Sequence, residues 1–176
     1  LDKDTSGLLL VAKNQVFAKK LSKLFQDGKI IKVYLALVSP SPENDNGIIK
    51  TKIYKSESHK NKMHISKCEG KYSITKFKVL KKIPNKLALV ALQPITGRTH
   101  QLRLHMHHMG CPILGDKKYF LKESPLEFNN FANELKLHAG FLKIPGESLL
   151  KADLPVHFKD ALEFFGLNIK NNKSIY

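Results

Sequence analysis

Two carboxylates and two hydroxyls lie close together near the start of the chain. Asp2, Asp4, Thr5 and Ser6 belong to the stretch LDKDTSG, which precedes an apolar run at residues 8–12. A carboxylate here could be the nucleophile of an aspartyl-phosphate enzyme, or the single catalytic aspartate of an enzyme that uses no metal. The same residue types also form solvated turns. The stretch alone leaves these three interpretations open.

An aspartyl-phosphate enzyme needs its acidic pair at the end of a strand, a later lysine and further acids to bind magnesium. In this chain the apolar run follows the acids instead of preceding them. The obvious downstream acid is Asp116, in the stretch GDKKYF, and no second acid follows within reach. The pattern therefore disfavours this interpretation. Asp4, Thr5 and Ser6 are better interpreted as turn residues that bond backbone amides.

Three further stretches contain residues that could act together with an aspartate. KVYLALV contains Tyr34, PITGRTHQLRLHMHHMGCPILGDKKY contains Arg103, and LKLHA contains Leu137. In this order and at this spacing, the four stretches resemble the pseudouridine synthases that modify large-subunit ribosomal RNA. The resemblance extends from Leu1 to about Leu154. The family usually shows His-Arg-Leu-Asp-x-x-Thr-Ser-Gly in its first motif, so its His-Arg pair would lie just before this chain begins.

The resemblance implies a role for one residue in each stretch. Asp2, which follows the leucine of the first motif, corresponds to the catalytic aspartate. Tyr34 corresponds to the tyrosine on which the uracil stacks, and its hydroxyl could take the C5 proton. Arg103 corresponds to the active-site arginine, and we expect it within about 4 Å of the Asp2 carboxylate, keeping that group charged and oriented. Leu137 corresponds to the apolar residue that packs under the target base.

The reaction that the resemblance implies requires neither a cofactor nor a metal. Converting uridine to pseudouridine breaks the N1–C1′ bond, turns the uracil and rejoins it through C5, without redox change or net water. A carboxylate beside the sugar can act on C1′, on a neighbouring sugar proton or on the base, and the sequence does not choose among these. The target nucleotide must leave its stack, which costs a few kcal/mol.

Histidines cluster around the predicted active-site arginine. They are His100, His105, His107 and His108. Only some pairs of them could share a helix face and no acid accompanies them, so we do not expect a metal site. Instead, we expect His100, Arg98 and Lys13 to contact RNA.

The composition favours a nucleic-acid partner. Thirty Lys+Arg against fifteen Asp+Glu give a net charge of +15, which is typical of proteins that bind polyanions. A Lys-, Asn- and Ile-rich genome would produce the same excess without any function. No apolar stretch approaches the roughly 18 residues of a membrane helix, no signal peptide is visible, and the two cysteines are unpatterned. We therefore expect a cytoplasmic protein, and we also expect it to be a monomer.

The apolar periodicity predicts an α+β domain built on a central sheet. Predicted strands are residues 8–12, the segment around Tyr34, residues 71–82, residues 86–95, the segment around Leu137 and residues 146–154, and residues 48–66 are a predicted basic hairpin. Helices are predicted from Asn14 to Gly28, from residue 96 to about Met109, and over 157–166. The resemblance implies that the sheet is mixed, mostly antiparallel and flanked by helices. We expect a catalytic domain over residues 1–167, its N-terminal part missing because the chain begins inside the first motif, and a disordered basic tail over 168–176.

Several functional alternatives stay open at this point. The family includes enzymes that act on transfer RNA as well as on ribosomal RNA, and the stretch over residues 50–82 resembles the large-subunit enzymes most closely. A non-catalytic RNA-binding module is another possibility, although Asp2, Tyr34 and Arg103 are all present. A glycosidase would need two carboxylates across a sugar, which these motifs do not supply. Large-subunit ribosomal RNA is the favoured substrate.

Overall fold

A mixed sheet organises the computed structural model, which describes residues 1–56, 62–120 and 126–168. Eight strands belong to the sheet in this part of the chain: β1 Ser6–Gly7, β2 Ile31–Val38, β3 Asn46–Lys55, β4 Met63–Ser66, β5 Lys71–Ile83, β6 Leu87–Pro94, β7 Leu137–Lys143 and β8 Leu150–Lys151. The α-helices are α1 Gln15–Gln26, α2 Gln101–His108 and α3 Val156–Phe164, and a 3₁₀-helix spans Leu126–Phe131.

The strand order is β1-β7-β2-β6-β5-β3-β4, with β8 also paired to β7. Among the described strands, only β1 and β7 pair in parallel, and the other neighbours are antiparallel. The expected α+β architecture with a mixed, mostly antiparallel sheet is therefore confirmed. The predicted basic hairpin is β3 and β4, whose connecting residues 57–61 lie outside the described residues. The same holds for residues 169–176 of the predicted tail.

The central strands are apolar on both faces because each face is covered. On one face, Val33 and Leu35 of β2 pack in a core that includes Phe158 of α3. On the other face, Ala36 of β2 belongs to a second core that includes Met106 of α2. Each large apolar side chain buried in this way contributes about 1.5–3 kcal/mol. No helix within the described residues is long and apolar enough to span a membrane.

The prediction of a buried strand at residues 8–12 is wrong. The strand ends at Gly7, and Leu9 and Val11 are 65% and 77% exposed. The reason is competition for the edge of β7. β1 pairs there with His138 and Ala139, whereas the next residues of β7 pair with β8. No free edge is left to extend β1.

The first helix begins where the sequence predicts, but its apolar face stays open. The Asn14 side chain accepts a hydrogen bond from the Phe17 backbone N–H at 3.0 Å, which is an N-cap. The helix has no buried residue, and Phe17 and Phe25 are 54% and 41% exposed. The helical spacing of the apolar residues therefore predicted the helix correctly. The apolar face that such spacing usually buries is exposed in this helix.

Helix α2 starts at Gln101 instead of residue 96, because a polar network holds the preceding loop. The Gln101 side-chain oxygen accepts hydrogen bonds from the Thr96 hydroxyl at 2.6 Å and the Arg98 backbone N–H at 3.0 Å. His100 has a left-handed backbone, with φ of 54°. The loop that carries Arg98 is thus a defined structure and not the first turn of a helix.

A buried histidine connects α2 to the sheet. His105 is fully buried, and its Nε2 lies 2.9 Å from the hydroxyls of Thr51 and Ser73. Its Nδ1 lies 2.9 Å from the Thr75 hydroxyl. Burial, with a smaller effect of His108, lowers the pKa of His105 from 6.5 to about 4. His105 is therefore neutral at neutral pH and serves as a structural hydrogen-bonding group.

This burial predicts a pH dependence of folding. The unfolded chain binds a proton at His105 near pH 6.5 and the folded protein only near pH 4, so stability is present above pH 6.5 and lost as the pH falls toward 4. The loss attributable to this group is on the order of 3 kcal/mol. His105→Gln should flatten the pH dependence of the free energy of unfolding, measured by urea denaturation. His108→Gln, at an exposed position, removes only the smaller of the two effects on the His105 pKa and should keep most of the parent's slope. Equal slopes for all three proteins would contradict the assignment.

Candidate active site

The structure brings together three of the predicted site residues from distant parts of the chain. Asp2, Tyr34 and Leu137 line one cleft of about 300 Å³. Asp2 precedes β1, Tyr34 lies on β2 and Leu137 begins β7. Since β7 pairs with both β1 and β2, the sheet itself places the three side chains side by side.

A turn carries Asp2 into this position. The Thr5 backbone N–H donates to the Asp2 carbonyl at 3.1 Å, and Asp4 has a φ of 73°. Aspartate tolerates this left-handed conformation better than most residues. Asp4 is therefore the turn residue that the sequence predicts, and it lines a different cavity from Asp2.

The Ser-Gly pair after the turn fastens the segment to β7. The Ser6 hydroxyl lies 2.9 Å from His138 Nδ1, and the Leu8 backbone N–H donates to the Ala139 carbonyl at 2.9 Å. Gly7 has a φ of 107°, and a Cβ there would lie 2.3 Å from the Ala139 oxygen. No other residue fits this approach without displacing the backbone. The LDKDTSG stretch thus holds Asp2 beside the start of β7.

Tyr34 keeps its proton in this environment. A register shift between Val33 and Tyr34 interrupts the pairing of β2 with β7 at this point. Burial, followed by the nearby charge of Asp2, raises the pKa of Tyr34. The side chain consequently presents a flat apolar ring and a neutral hydroxyl to the cleft.

Arg103 pairs with Asp116, and the expected ion pair with Asp2 is not formed. Its Nε and Nη2 donate to the two Asp116 carboxylate oxygens, each at 2.7 Å. One of these oxygens also accepts from the backbone N–H groups of Lys118 and Tyr119, at 2.8 and 3.0 Å. Arg103 lines the second cavity with Asp4 and Asp116 and not the cleft that contains Asp2. The expected distance of about 4 Å between the Asp2 and Arg103 charges is thus wrong.

The Arg103–Asp116 pair is charged despite its burial. Burial by itself would raise the pKa of Asp116, but the Arg103 and backbone hydrogen bonds outweigh it and lower that pKa. For Arg103, burial is likewise outweighed by Asp116, with a smaller contribution from Asp2, and the pKa is raised. The effect of Asp2 on Arg103 is therefore electrostatic and acts at longer range than an ion pair. An aspartate in an apolar stretch such as PILGD needs a buried partner, which was the available sequence signal for Asp116.

The three residues predicted to contact RNA lie in different surroundings. Arg98 lines the cleft, and its Nε donates to the Tyr72 carbonyl at 3.1 Å. His100 is half-buried, its Nδ1 is 2.8 Å from the Tyr119 hydroxyl, and burial lowers its pKa. Lys13 is exposed and does not line the cleft. Only Arg98 of the three is therefore placed beside Asp2.

Sequence reasoning missed two contributors to the site. Lys32, two residues before Tyr34 on β2, lines the cleft as well. Gln101 shapes it, because its side-chain nitrogen donates to the Ile74 carbonyl and lies 3.0 Å from the Thr75 hydroxyl while its oxygen holds the Arg98 loop. A lysine within a strand resembles a surface charge, and the contacts of Gln101 with Ile74 and Thr75 are tertiary. Among the described residues, no cluster of three His, Cys, Asp or Glu side chains could hold a metal ion.

The fold has counterparts among solved structures of RNA pseudouridylate synthases. The structure titled human RNA pseudouridylate synthase domain containing 4 matches with a TM-score of 0.82 and 28% identity, over 97% of this chain and 76% of that one. Human RNA pseudouridylate synthase domain containing 1 matches with a TM-score of 0.73 and 30% identity, over 92% and 69%. A family model described as RNA pseudouridylate synthase matches residues 1–108. The chain belongs to this family.

Curated relatives are also similar over most of the chain. Ribosomal large subunit pseudouridine synthase C of Rickettsia prowazekii is 41% identical over 160 residues, which cover 90% of this chain and 53% of the relative. Ribosomal large subunit pseudouridine synthase D of Borreliella burgdorferi is 41% identical over 119 residues, or 68% and 36%. The chain thus spans about half the length, or less, of these relatives.

The buried Arg103–Asp116 pair predicts that substitution of Asp116 destabilises the fold far more than substitution of an exposed aspartate. Asp116→Asn leaves the buried Arg103 charge without its counter-charge and should lower the free energy of unfolding by about 3–5 kcal/mol. Asp45 pairs with Lys82 at 2.6 Å but is 65% exposed, so Asp45→Asn should cost less than about 1 kcal/mol. Urea denaturation at neutral pH measures both. Equal losses for the two variants would show that the Arg103–Asp116 pair is not a structural requirement.

Proposed function

We propose that residues 1–167 form the catalytic domain of an RNA pseudouridine synthase that isomerises uridine to pseudouridine. The observation that carries this proposal is the convergence of Asp2, Tyr34 and Leu137 on one cleft. Some 30 and 100 residues separate them along the chain, so local propensity does not account for the arrangement. Membership of the pseudouridylate synthase family supports the same conclusion.

The cleft suits a single nucleotide that has left its stack. Leu137 packs under the uracil, and the Tyr34 ring offers a face on which it can stack. The Asp2 carboxylate acts beside the sugar while the N1–C1′ bond breaks. The uracil then turns, C5 bonds to C1′, and the proton lost from C5 is balanced by the proton gained at N1. These steps need no redox cofactor and no metal.

Tyr34 takes part in the proton transfer as a neutral phenol. Because burial and Asp2 raise its pKa, the hydroxyl can accept the C5 proton only while it passes its own proton to a second base. The Asp2 carboxylate lines the same cleft and is available as that acceptor. Arg103 acts as a positioning residue: it supports the site from the adjacent cavity, where its charge interacts with Asp2 at longer range.

Large-subunit ribosomal RNA is the proposed substrate. The Rickettsia and Borreliella relatives are named as ribosomal large subunit pseudouridine synthases, and a net charge of +15 suits a polyanionic partner. Arg98 contacts RNA at the cleft, and His100 and Lys13 contact it farther away. The protein acts as a monomer in the cytoplasm.

Substitution of the two neighbouring aspartates tests the role of Asp2. Asp2→Asn keeps the size of the side chain but removes its charge, so pseudouridine formation should fall by at least roughly 10³-fold while RNA affinity changes little. Asp4→Asn is the matched control, because asparagine also tolerates the left-handed turn position. Conversion is measured with the full-length protein and a large-subunit ribosomal RNA fragment. Activity of Asp2→Asn near the parent level would exclude Asp2 as the catalytic residue.

Substitution of Tyr34 separates stacking from proton transfer. Tyr34→Phe keeps the ring but removes the hydroxyl, so conversion should slow by about 10²-fold or more, the usual contribution of a positioned acid or base. RNA binding should stay within about twofold, because the stacking face is unchanged. Single-turnover rates and equilibrium binding are measured on the same RNA. A rate equal to the parent's would confine Tyr34 to stacking.

A further inference from the structure

Lys32 lines the cleft, and its positive charge has no role in the proposed reaction. It lies on β2 two residues before Tyr34 and lines the cleft together with Asp2. Its Nζ lies 5.4 Å from the centre of the Phe25 ring, and 3.8 Å from the position that a Cβ would take at Gly97. The ammonium group thus lies against the loop that carries Arg98. It occupies the space beside Gly97, which has no side chain.

This ammonium has no carboxylate partner among the described residues. None of the ion pairs in that part of the chain includes Lys32. Burial lowers the pKa of Lys32, and Asp2 does not offset the effect although it lines the same cleft. A partly buried ammonium without a counter-ion costs free energy, which an anionic ligand would recover. Arg98, the residue after Gly97, lines the same cleft and adds a second cation.

We infer that Lys32 and Arg98 bind a backbone phosphate next to the target uridine. Both side chains only donate hydrogen bonds, so they suit a phosphate better than the mixed donors and acceptors of a base edge. Arg98 is held in place through its Nε by the Tyr72 carbonyl, which leaves its terminal nitrogens available for a ligand. The inference rests on the proposed function, because the phosphate belongs to the RNA that presents the uridine.

The salt dependence of RNA binding tests this phosphate contact. Lys32→Met keeps the aliphatic stem beside Phe25 and removes the charge, so the slope of log affinity against log salt should shrink by about 0.7–0.9, the value of one phosphate contact. Lys32→Arg should restore the slope. Lys159→Met, on α3 at the opposite face of the sheet, makes the same charge change away from the cleft and should keep the parent's slope. A parent-like slope for Lys32→Met would overturn the inference.

A second binding measurement uses the full-length protein with uridine, uridine 5′-monophosphate and uridine 3′-monophosphate. The parent should bind one of the monophosphates about tenfold more tightly than uridine, and Lys32→Met should abolish that preference. An unchanged preference in Lys32→Met, or no preference in the parent, would contradict the phosphate site. Neither experiment requires turnover. A protein that passes both but forms no pseudouridine contradicts the proposed function and leaves the phosphate site intact.

Discussion

The site depends on a parallel strand pairing only two residues long. Ser6 and Gly7 pair with His138 and Ala139, and this pairing places Asp2 in the cleft with Tyr34 and Leu137. A few backbone hydrogen bonds of about 1 kcal/mol each would not by themselves order a segment so near the start of the described chain. Close packing of the backbones also holds the segment in place, because Gly7 approaches the Ala139 carbonyl more closely than any residue with a side chain could.

The charges around the two cavities divide into two groups by their partners. Arg103 and Asp116 neutralise each other inside the protein, and the backbone N–H groups of Lys118 and Tyr119 complete the carboxylate's hydrogen bonds. Their pairing fixes the position of α2 relative to the segment after it. The cations in the cleft have no such internal partner among the described residues, which suits a role in binding an external anion. Burial with a partner thus marks Arg103 and Asp116 as structural charges, and partial burial without a carboxylate partner marks Lys32 as a candidate ligand contact.

The sequence predicted the elements better than it predicted their partners. The continuous apolar run of β2 and the Asn14 cap are local signals, and both elements form where these signals place them. The strand expected after Gly7 is absent because β8 competes for the same edge of β7, which is a tertiary effect. The start of α2 was predicted too early because Gln101, whose side-chain oxygen holds the preceding loop, is itself fixed by contacts with Ile74 and Thr75, which lie far from it in the chain.

For the site, too, part of the arrangement was predictable from the sequence, and part depends on tertiary contacts that the sequence does not reveal. The resemblance to the pseudouridine synthases implied that Asp2, Tyr34 and Leu137 share one cleft, and all three line it in the structure. The resemblance also led to the expectation that Arg103 pairs with Asp2, whereas its partner is Asp116, and no sequence pattern ranks these two carboxylates.

Conversion of uridine in a large-subunit ribosomal RNA fragment by the full-length protein tests the central claim most directly. The account predicts pseudouridine at a defined position of that RNA, formed without added cofactor and in the presence of a strong chelator, with the RNA still folded. A protein that binds the same RNA tightly and leaves every uridine unchanged would contradict it.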